Sequence, residues 1–143
     1  MNNYHHILVL IRDKQDGVLL LEQAVRVASL GQARITLGHV AVDYQAMNYV
    51  SDSLMNDVQS QQVIGIKSLF SELVGGVSYP VTTTLIISLD RMKSLNKFIT
   101  ENQVDLLMAG HKNRLFGSVS SDAMNFVNST TTDVLIKHIP TGD

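Results

Sequence analysis

The chain has 143 residues and no cysteine, with 45% hydrophobic and 17% charged residues and a formal net charge of -2. We expect one domain over residues 1–143, because this length suffices for a single core. A disulfide framework and a cysteine-based zinc site are excluded. The near-neutral charge without a basic block argues against nucleic-acid binding. The apolar runs are far shorter than the roughly 18 residues of a membrane span, so we expect a cytoplasmic protein.

The first half of the chain alternates strand-like and helix-like segments. Residues 6–11 form an aliphatic run that is typical of a strand buried on both faces. The polar segment 13–17 predicts a loop, and the spacing of apolar residues over 18–30 predicts a helix that Gly31 ends. Residues 33–42 predict a second strand and 43–53 a connection. Ser53 is the expected N-cap of a long helix that runs to Val74 and ends at Gly75 and Gly76.

The second half continues the same alternation. Residues 81–87 predict a third strand, Asp90 the start of a helix, and residues 105–110 a short buried strand. A further helix is expected within 118–129, and a last strand over 134–139 that Pro140 ends. Strands that alternate with helices predict an α/β fold. We expect one open, doubly wound parallel sheet of five strands, in the order 3-2-1-4-5, with four helices.

In such a sheet, ligands bind beyond the carboxyl ends of the strands, where the strand order reverses. Here that point lies between the first and fourth strands. Arg12 and Asp13 follow the first strand, and residues 110–113 follow the fourth. Val40, near the end of the second strand, flanks them. The sequence therefore predicts a candidate crevice at these strand ends.

Several motifs together resemble the universal stress protein family over essentially the full chain. They are His6-Ile-Leu-Val, Gly38-His39-Val40, Asp105-Leu-Leu-Met-Ala-Gly110-His111 and Asp133-Val-Leu-Ile. Gly75-Gly76 followed by Tyr79-Pro80-Val81 is similar to the universal stress protein A type, which does not bind ATP. The resemblance implies a Rossmann-like fold related to the adenine nucleotide alpha hydrolases, and a role in the stress response.

The resemblance also implies where ATP-binding members hold the nucleotide. They carry Gly-x-x-Gly, a longer spacer and Gly-Ser or Gly-Thr, because glycines let the backbone approach phosphates. Here Gly110 is followed by Asn113, and the third position holds Ala123 by strict count or Ser120 by a gapped comparison. Binding members have an aspartate at the end of the first strand, where this chain has Arg12. Val40 matches the adenine-pocket position.

We therefore expect no cofactor, although ATP or AMP in a rebuilt phosphate loop at Gly117-Ser118 is the alternative. The candidate crevice residues, as a degenerate nucleotide-binding motif, are Arg12, Asp13, Val40, Gly110, His111, Asn113, Ser120 and Ser121. Arg12, His111, Lys112 and Arg114 form a possible cationic rim for a small anion, with solvated loop charges as the simpler explanation.

No catalytic residues and no metal site are predicted. No cysteine is available, and Ser118, Ser120 and Ser121 lack a nucleophile-elbow pattern, so they more plausibly cap the last helix. The five histidines do not form a set of converging ligands. His39 lies inside a strand, and His138 is expected to be remote from the crevice. His111 is the histidine of most interest because it lies at the switch point.

The last strand is expected at the sheet edge, where an apolar strand invites pairing. The resemblance implies homodimerisation through this strand, antiparallel across a two-fold axis. The candidate interface residues are Val134, Leu135, Ile136, Lys137 and His138. We expect a non-enzymatic stress-response protein that acts through homodimerisation and unidentified protein partners, without nucleic acid or membrane. Which stress it serves does not follow from the sequence.

Overall fold

The computed structural model describes residues 3–42, 52–112 and 122–140 of the chain. Its parallel sheet has five strands in the order β3-β2-β1-β4-β5, which confirms the predicted α/β fold and strand order. The strands, in chain order, are β1 (His6–Leu10), β2 (Arg34–Val42), β3 (Val81–Ser88), β4 (Leu106–His111) and β5 (Asp133–His138).

Four helices in the described part of the chain cover the two faces of this sheet. They are α1 (Lys14–Ser29), α2 (Asp52–Gly75), α3 (Arg91–Glu101) and α4 (Asp122–Ser129). On one face, Ile7 and Val9 of β1 share a core with α1 and with Phe70 of α2. On the other, Leu8 of β1 shares a core with Leu95 of α3. None of these helices combines the length and apolar character needed to cross a membrane.

Strand β1 is the central strand of the sheet, and every one of its residues is buried. Ile7 is in register with Ile35 of β2 and with Leu106 of β4, so both edges of the strand are occupied. The Asp105 carboxylate accepts the backbone N–H of His6 at 2.9 Å, which ties the start of β1 to the residue before β4. The amino ends of β1 and β4 are therefore held side by side, and the parallel pairing continues from there along both strands.

Two local predictions at helix ends were wrong. Residues 14–17 belong to α1, because Asp13 caps the helix and starts it four residues before the apolar periodicity begins. α1 ends at Ser29 with Leu30 as its C-cap, so Gly31 directly follows the helix end as predicted, and the left-handed residue comes next, at Gln32 with a φ of 58°. Ser53 lies inside α2, which begins at Asp52. Asp90 does cap α3 as expected, accepting the Lys93 N–H at 3.1 Å.

Candidate functional site

A cavity of about 490 Å³ opens beyond the carboxyl ends of the strands, between the helices of the two faces. This volume lies in the range of small-molecule pockets. Its floor is made of strand ends, because parallel strands all finish at the same edge of the sheet. The floor residues are Leu10, Ile11, Arg12, His39, Val40, Ala41, Leu85, Ala109 and Gly110.

Helix residues complete the walls of the cavity. α2 contributes a stretch of its middle turns, and three other helices contribute one residue each. These residues are Gln59, Gln62, Val63, Gly65, Ile66, Asp16 of α1, Arg91 of α3 and Phe126 of α4. Floor and walls together are mainly apolar, and the charged side chains among them are Arg12, Asp16 and Arg91.

The chain between β1 and α1 is fixed by a reciprocal capping box. The Asp13 side chain accepts the Asp16 N–H at 3.0 Å, and the Asp16 carboxylate accepts the Asp13 N–H at 3.0 Å. Asp16 also accepts the Arg12 N–H at 3.1 Å. Two of the amides that a helix start would otherwise leave unpaired are thus satisfied by one internal carboxylate.

Arg12 and Asp16 form an ion pair at the edge of the cavity. The Arg12 Nε lies 3.7 Å from Asp16 Oδ2, and the two side chains are 44% and 2% exposed. Burial raises the pKa of Asp16, and the hydrogen bonds from the Asp13 and Arg12 amides offset only part of that effect. The contact is long and monodentate, and Arg12 also lines the cavity.

Asp13 lies outside the cavity lining and pairs with Lys112, whose Nζ is 3.6 Å from Asp13 Oδ2. Desolvation acts to raise the pKa of Asp13. The hydrogen bond from the Asp16 amide and the charges of Lys112 and Arg12 outweigh it, so the pKa is lowered. Asp13 is therefore a charged helix cap that fastens the end of β4 to the start of α1.

His39 lines the cavity from β2, and its Nδ1 lies 2.8 Å from the Ile11 carbonyl oxygen. A carbonyl oxygen only accepts, so Nδ1 carries the proton. In the neutral ring Nε2 is then the acceptor. The predicted position of His39 inside a strand is correct, and the structure adds a fixed ring orientation beside the cavity.

Gly110 is required by packing as well as by its place at the strand end. A Cβ at this position would lie 2.8 Å from Cγ1 of Ile139, a residue with no exposed surface, and 3.6 Å from the Cβ of Asp16. Side chains in such a dense environment have little room to move. The glycine therefore lets the residue after β5 pack directly against β4.

The cavity brings together Arg12, Val40 and Gly110 from the predicted crevice set. His111 ends β4 but is not part of the lining. Asn113, Ser120 and Ser121 lie outside the described residues, as do Arg114 of the proposed rim and the alternative loop at Gly117-Ser118. Of the remaining rim residues, Arg12 reaches the cavity, whereas Lys112 is paired with Asp13.

Sequence reasoning missed four lining residues that matter for the chemistry: Asp16, Gln59, Arg91 and Phe126. One signal was present, because Asp13 and Asp16 have the three-residue spacing of a capping box. Arg91 could have been suspected because it follows the Asp90 cap directly after β3, at the same edge of the sheet. The α2 and α4 residues carry no local signal, since helix packing alone brings them to the strand ends.

Within residues 3–42, 52–112 and 122–140, no three histidine or acidic side chains come close enough together to hold a metal ion. His138, which was predicted to be remote from the crevice, is not among the residues that line the cavity. His138 is in register with His111, so the two residues are neighbours across β4 and β5. Parallel strands of equal length end together, and both histidines are the last residues of their strands.

An open parallel sheet with a cavity beyond the carboxyl ends of β1, β2 and β4 defines a doubly wound α/β protein whose cavity lies where the strand order reverses. No family model matches the chain. The chain is 30% identical over 134 residues to universal stress protein A of Salmonella typhi, covering 93% of each sequence. It belongs to the universal stress protein family.

Solved structures agree with this fold. The universal stress protein UspA of Lactobacillus plantarum superimposes with a TM-score of 0.75 at 19% identity, over 96% of this chain and 99% of that one. A family member from Arabidopsis thaliana, solved with AMP bound, gives a TM-score of 0.61 at 20% identity, over 96% of this chain and 93% of that one. At these identities the likeness shows the fold alone.

Proposed function

We propose that the protein is a cytoplasmic stress-response protein that acts as a homodimer through protein partners, without ATP binding and without turnover. The observation that carries the proposal is Arg12 at the cavity, where the resemblance implies an aspartate in ATP-binding members. A guanidinium has only donors, so it cannot accept hydrogen bonds from ribose hydroxyls as a carboxylate does.

The start of α1 supports the same proposal. Helix N-termini bind phosphate through free backbone amides. Here the amides of Arg12 and Asp13 already donate to the Asp16 carboxylate, which also places a negative charge beside the cavity. A polyanionic ligand would meet this charge at the end of β1.

The homodimer is proposed through β5, which is an edge strand of the sheet. Its residues 134–137 are half-buried even though the strand has only one neighbour. They include three consecutive aliphatic side chains and one charge, that of Lys137. An edge of this kind has few of the features that block pairing with another strand.

Titration calorimetry with ATP and magnesium tests the first part of the proposal, and we expect no heat of binding. Micromolar binding would instead support the alternative, a nucleotide-binding member with a rebuilt phosphate loop. The AMP-bound Arabidopsis relative is the observation that favours this alternative.

Sedimentation velocity over a dilution series tests the dimer. We expect the native chain to remain dimeric and Ile136→Pro to be monomeric, because proline removes a backbone donor from the strand. Thr83→Pro is the matched control, since it places a proline in β3 at the opposite edge of the sheet. A monomeric native chain, or a dimer lost only in the Thr83 variant, would refute the β5 interface.

A further inference from the structure

The imidazole ring of His6, on β1, is buried and has a hydrogen-bond partner at each of its nitrogens. His6 is 3% exposed, and its Nδ1 lies 2.8 Å from the Asn102 carbonyl oxygen. A carbonyl oxygen only accepts, so Nδ1 carries a proton. In the neutral ring Nε2 is then an acceptor, and it lies 2.7 Å from Oγ1 of Thr36 on β2. The Thr36 hydroxyl therefore donates to Nε2 when His6 is neutral.

The hydrogen-bond chain continues from Thr36 to the edge of the sheet. Thr36 is 5% exposed, and its Oγ1 lies 3.0 Å from Oγ1 of Thr82, the residue in register with it on β3. Because the Thr36 proton is committed to Nε2, the Thr82 hydroxyl donates to Thr36. Thr82 is exposed, so the outer end of the chain reaches solvent. With a neutral ring, the chain thus runs inward from Thr82 through Thr36 to His6.

A second acceptor beside Thr82 lets the same chain run outward. Thr82 Oγ1 also lies 3.3 Å from the Ile35 carbonyl oxygen. A hydroxyl has a single proton, so Thr82 donates either to Thr36 or to Ile35. With a proton on Nε2, the ring donates to Thr36, Thr36 donates to Thr82, and Thr82 donates to Ile35. The chain is therefore complete in both protonation states of His6, which avoids the cost of an unpaired buried donor.

We propose that His6 is a buried proton-binding site that is loaded through a reversible relay of the Thr82 and Thr36 hydroxyls. A solvent hydronium gives one proton to Thr82 Oγ1, Thr82 passes its own proton to Thr36, and Thr36 passes its own to Nε2. One N–H bond forms, one O–H bond of the hydronium breaks, and each threonine again has a single proton. The positive charge then lies on the ring. This inference depends neither on the homodimer nor on the absence of ATP binding proposed above.

Charged groups of opposite sign lie beside His6. Arg34 Nη2 is 3.3 Å from His6 Nδ1, and it donates to the Asn102 carbonyl oxygen, which the ring also uses, at 3.5 Å. A positive ring repels this guanidinium, and Arg34 is exposed, so it has room to move into solvent. The Asp105 carboxylate, which accepts the His6 N–H at 2.9 Å, attracts the positive ring. Proton uptake by His6 should therefore release Arg34 from Asn102 while the backbone of β1 stays in place.

Long-range ¹H–¹⁵N NMR of the native chain from pH 8 to pH 4 tests the proposal, because the two ring nitrogens report tautomer and charge separately. We expect His6 as the Nδ1–H tautomer at pH 8 and as an imidazolium at acid pH, with the amide spectrum still that of the folded protein. The Nε2–H tautomer at pH 8, or a ring that stays neutral until the protein unfolds, would overturn the proposal.

Thr82→Val removes the outer hydroxyl and tests the reversal. At pH 8 the Thr36 hydroxyl keeps Nε2 as its acceptor, so we expect little change in the free energy of unfolding. Once Nε2 donates, the Thr36 hydroxyl lacks an acceptor, so the proton affinity of His6 should fall about tenfold. Thr82→Ser keeps a hydroxyl and should behave like the native chain. Thr83→Val, at the next exposed position of β3, is the matched control.

These variants separate a relay from a bond that only supports the sheet. Native proton affinity of His6 in Thr82→Val would refute the reversal, and so would an equal loss in Thr83→Val. A stability loss in Thr82→Val that is as large at pH 8 as at pH 5 would assign a supporting role to Thr82 and would also refute the relay. The β5 dimer, measured separately by sedimentation, is unaffected by any of these results.

Discussion

The Asp16 carboxylate receives the backbone N–H of Arg12 through both of its oxygens, at 3.1 Å each. One side chain therefore fixes the direction in which the chain leaves β1 and the position of the cation that lines the cavity. Removal of this carboxylate should affect both stability and the cavity, which makes Asp16 the most informative residue to change.

We expect Asp16→Asn to destabilise the fold by about 1–3 kcal/mol, because an amide N–H₂ would face the Arg12 N–H and leave donors unpaired. Chemical denaturation of the two proteins measures the difference. Glu22→Gln, at an exposed position of the same helix, is the control and should change little. Equal stability of the Asp16 variant and the native chain would show that the amides are satisfied in another way.

The same variant should show a defined pH dependence. The pKa of Asp16 is raised in the folded protein, so the folded state binds the proton more tightly than the unfolded state does. The stability that Asp16 contributes is thus fully present below the unfolded pKa of about 3.9 and is lost as pH rises through the folded pKa. The difference between native and Asp16→Asn protein should be smaller at pH 7 than at pH 4.

Asp13 should behave in the opposite way. Its pKa is lowered, so its contribution is present above an unfolded pKa of about 3.9 and is lost as pH falls through the folded pKa. Asp13→Ala should cost about 1 kcal/mol near pH 7, whereas Asp13→Asn should cost less because asparagine also caps helices. Urea denaturation from pH 3 to pH 7 measures both. Equal losses in the two variants would assign the effect to the Lys112 ion pair rather than to the cap, because both variants lack the carboxylate.

Two helical glycines should respond with opposite signs to the same substitution. Gly65→Ala should stabilise the fold by up to about 1 kcal/mol, because the new Cβ meets nothing within 4 Å. Gly17→Ala should destabilise it, because the new Cβ would lie 2.6 Å from Cδ1 of the buried Leu73. Melting temperatures of the two variants measure this. A stabilising Gly17→Ala would mean that Leu73 moves aside without cost.

Gly110→Ala should cost about 1–3 kcal/mol through overpacking against Ile139. A double-mutant cycle with Ile139→Ala isolates this contact. Ile139→Ala alone creates a cavity, and the combined variant should lose less stability than the sum of the two single changes. Strict additivity would show that Gly110 is not constrained by Ile139, and would favour a role for this glycine in ligand binding.

The alternation of strands and helices was predictable because each strand of the centre is a short aliphatic run and the helices between them have clear apolar faces. The start of α1 was not predictable. The segment from Lys14 to Gly17 lacks an apolar residue and includes a glycine, so propensity alone assigns it to a loop. Asp13 holds this turn in the helix through a contact that only the folded backbone displays.

The floor of the cavity was also predictable in part, because parallel strand ends must meet, and Arg12, Val40 and Gly110 were all expected there. Its walls were not. Arg91 and Phe126 reach the cavity from α3 and α4, which lie on the face of the sheet opposite to α1 and α2. Their positions depend on how these two helices pack. Packing of this kind is set by many contacts distributed along the chain and leaves no local pattern.

The central position of β1 has a consequence for synthesis of the chain. Ile7 is made first, yet its two strand partners, Ile35 and Leu106, follow about 28 and 99 residues later. A nascent chain would therefore carry its most apolar strand with one open edge until β4 has left the ribosome. Contacts of such long sequence separation slow folding and expose aggregation-prone edges. For this protein, the interval before β4 emerges is the period in which a chaperone would matter most.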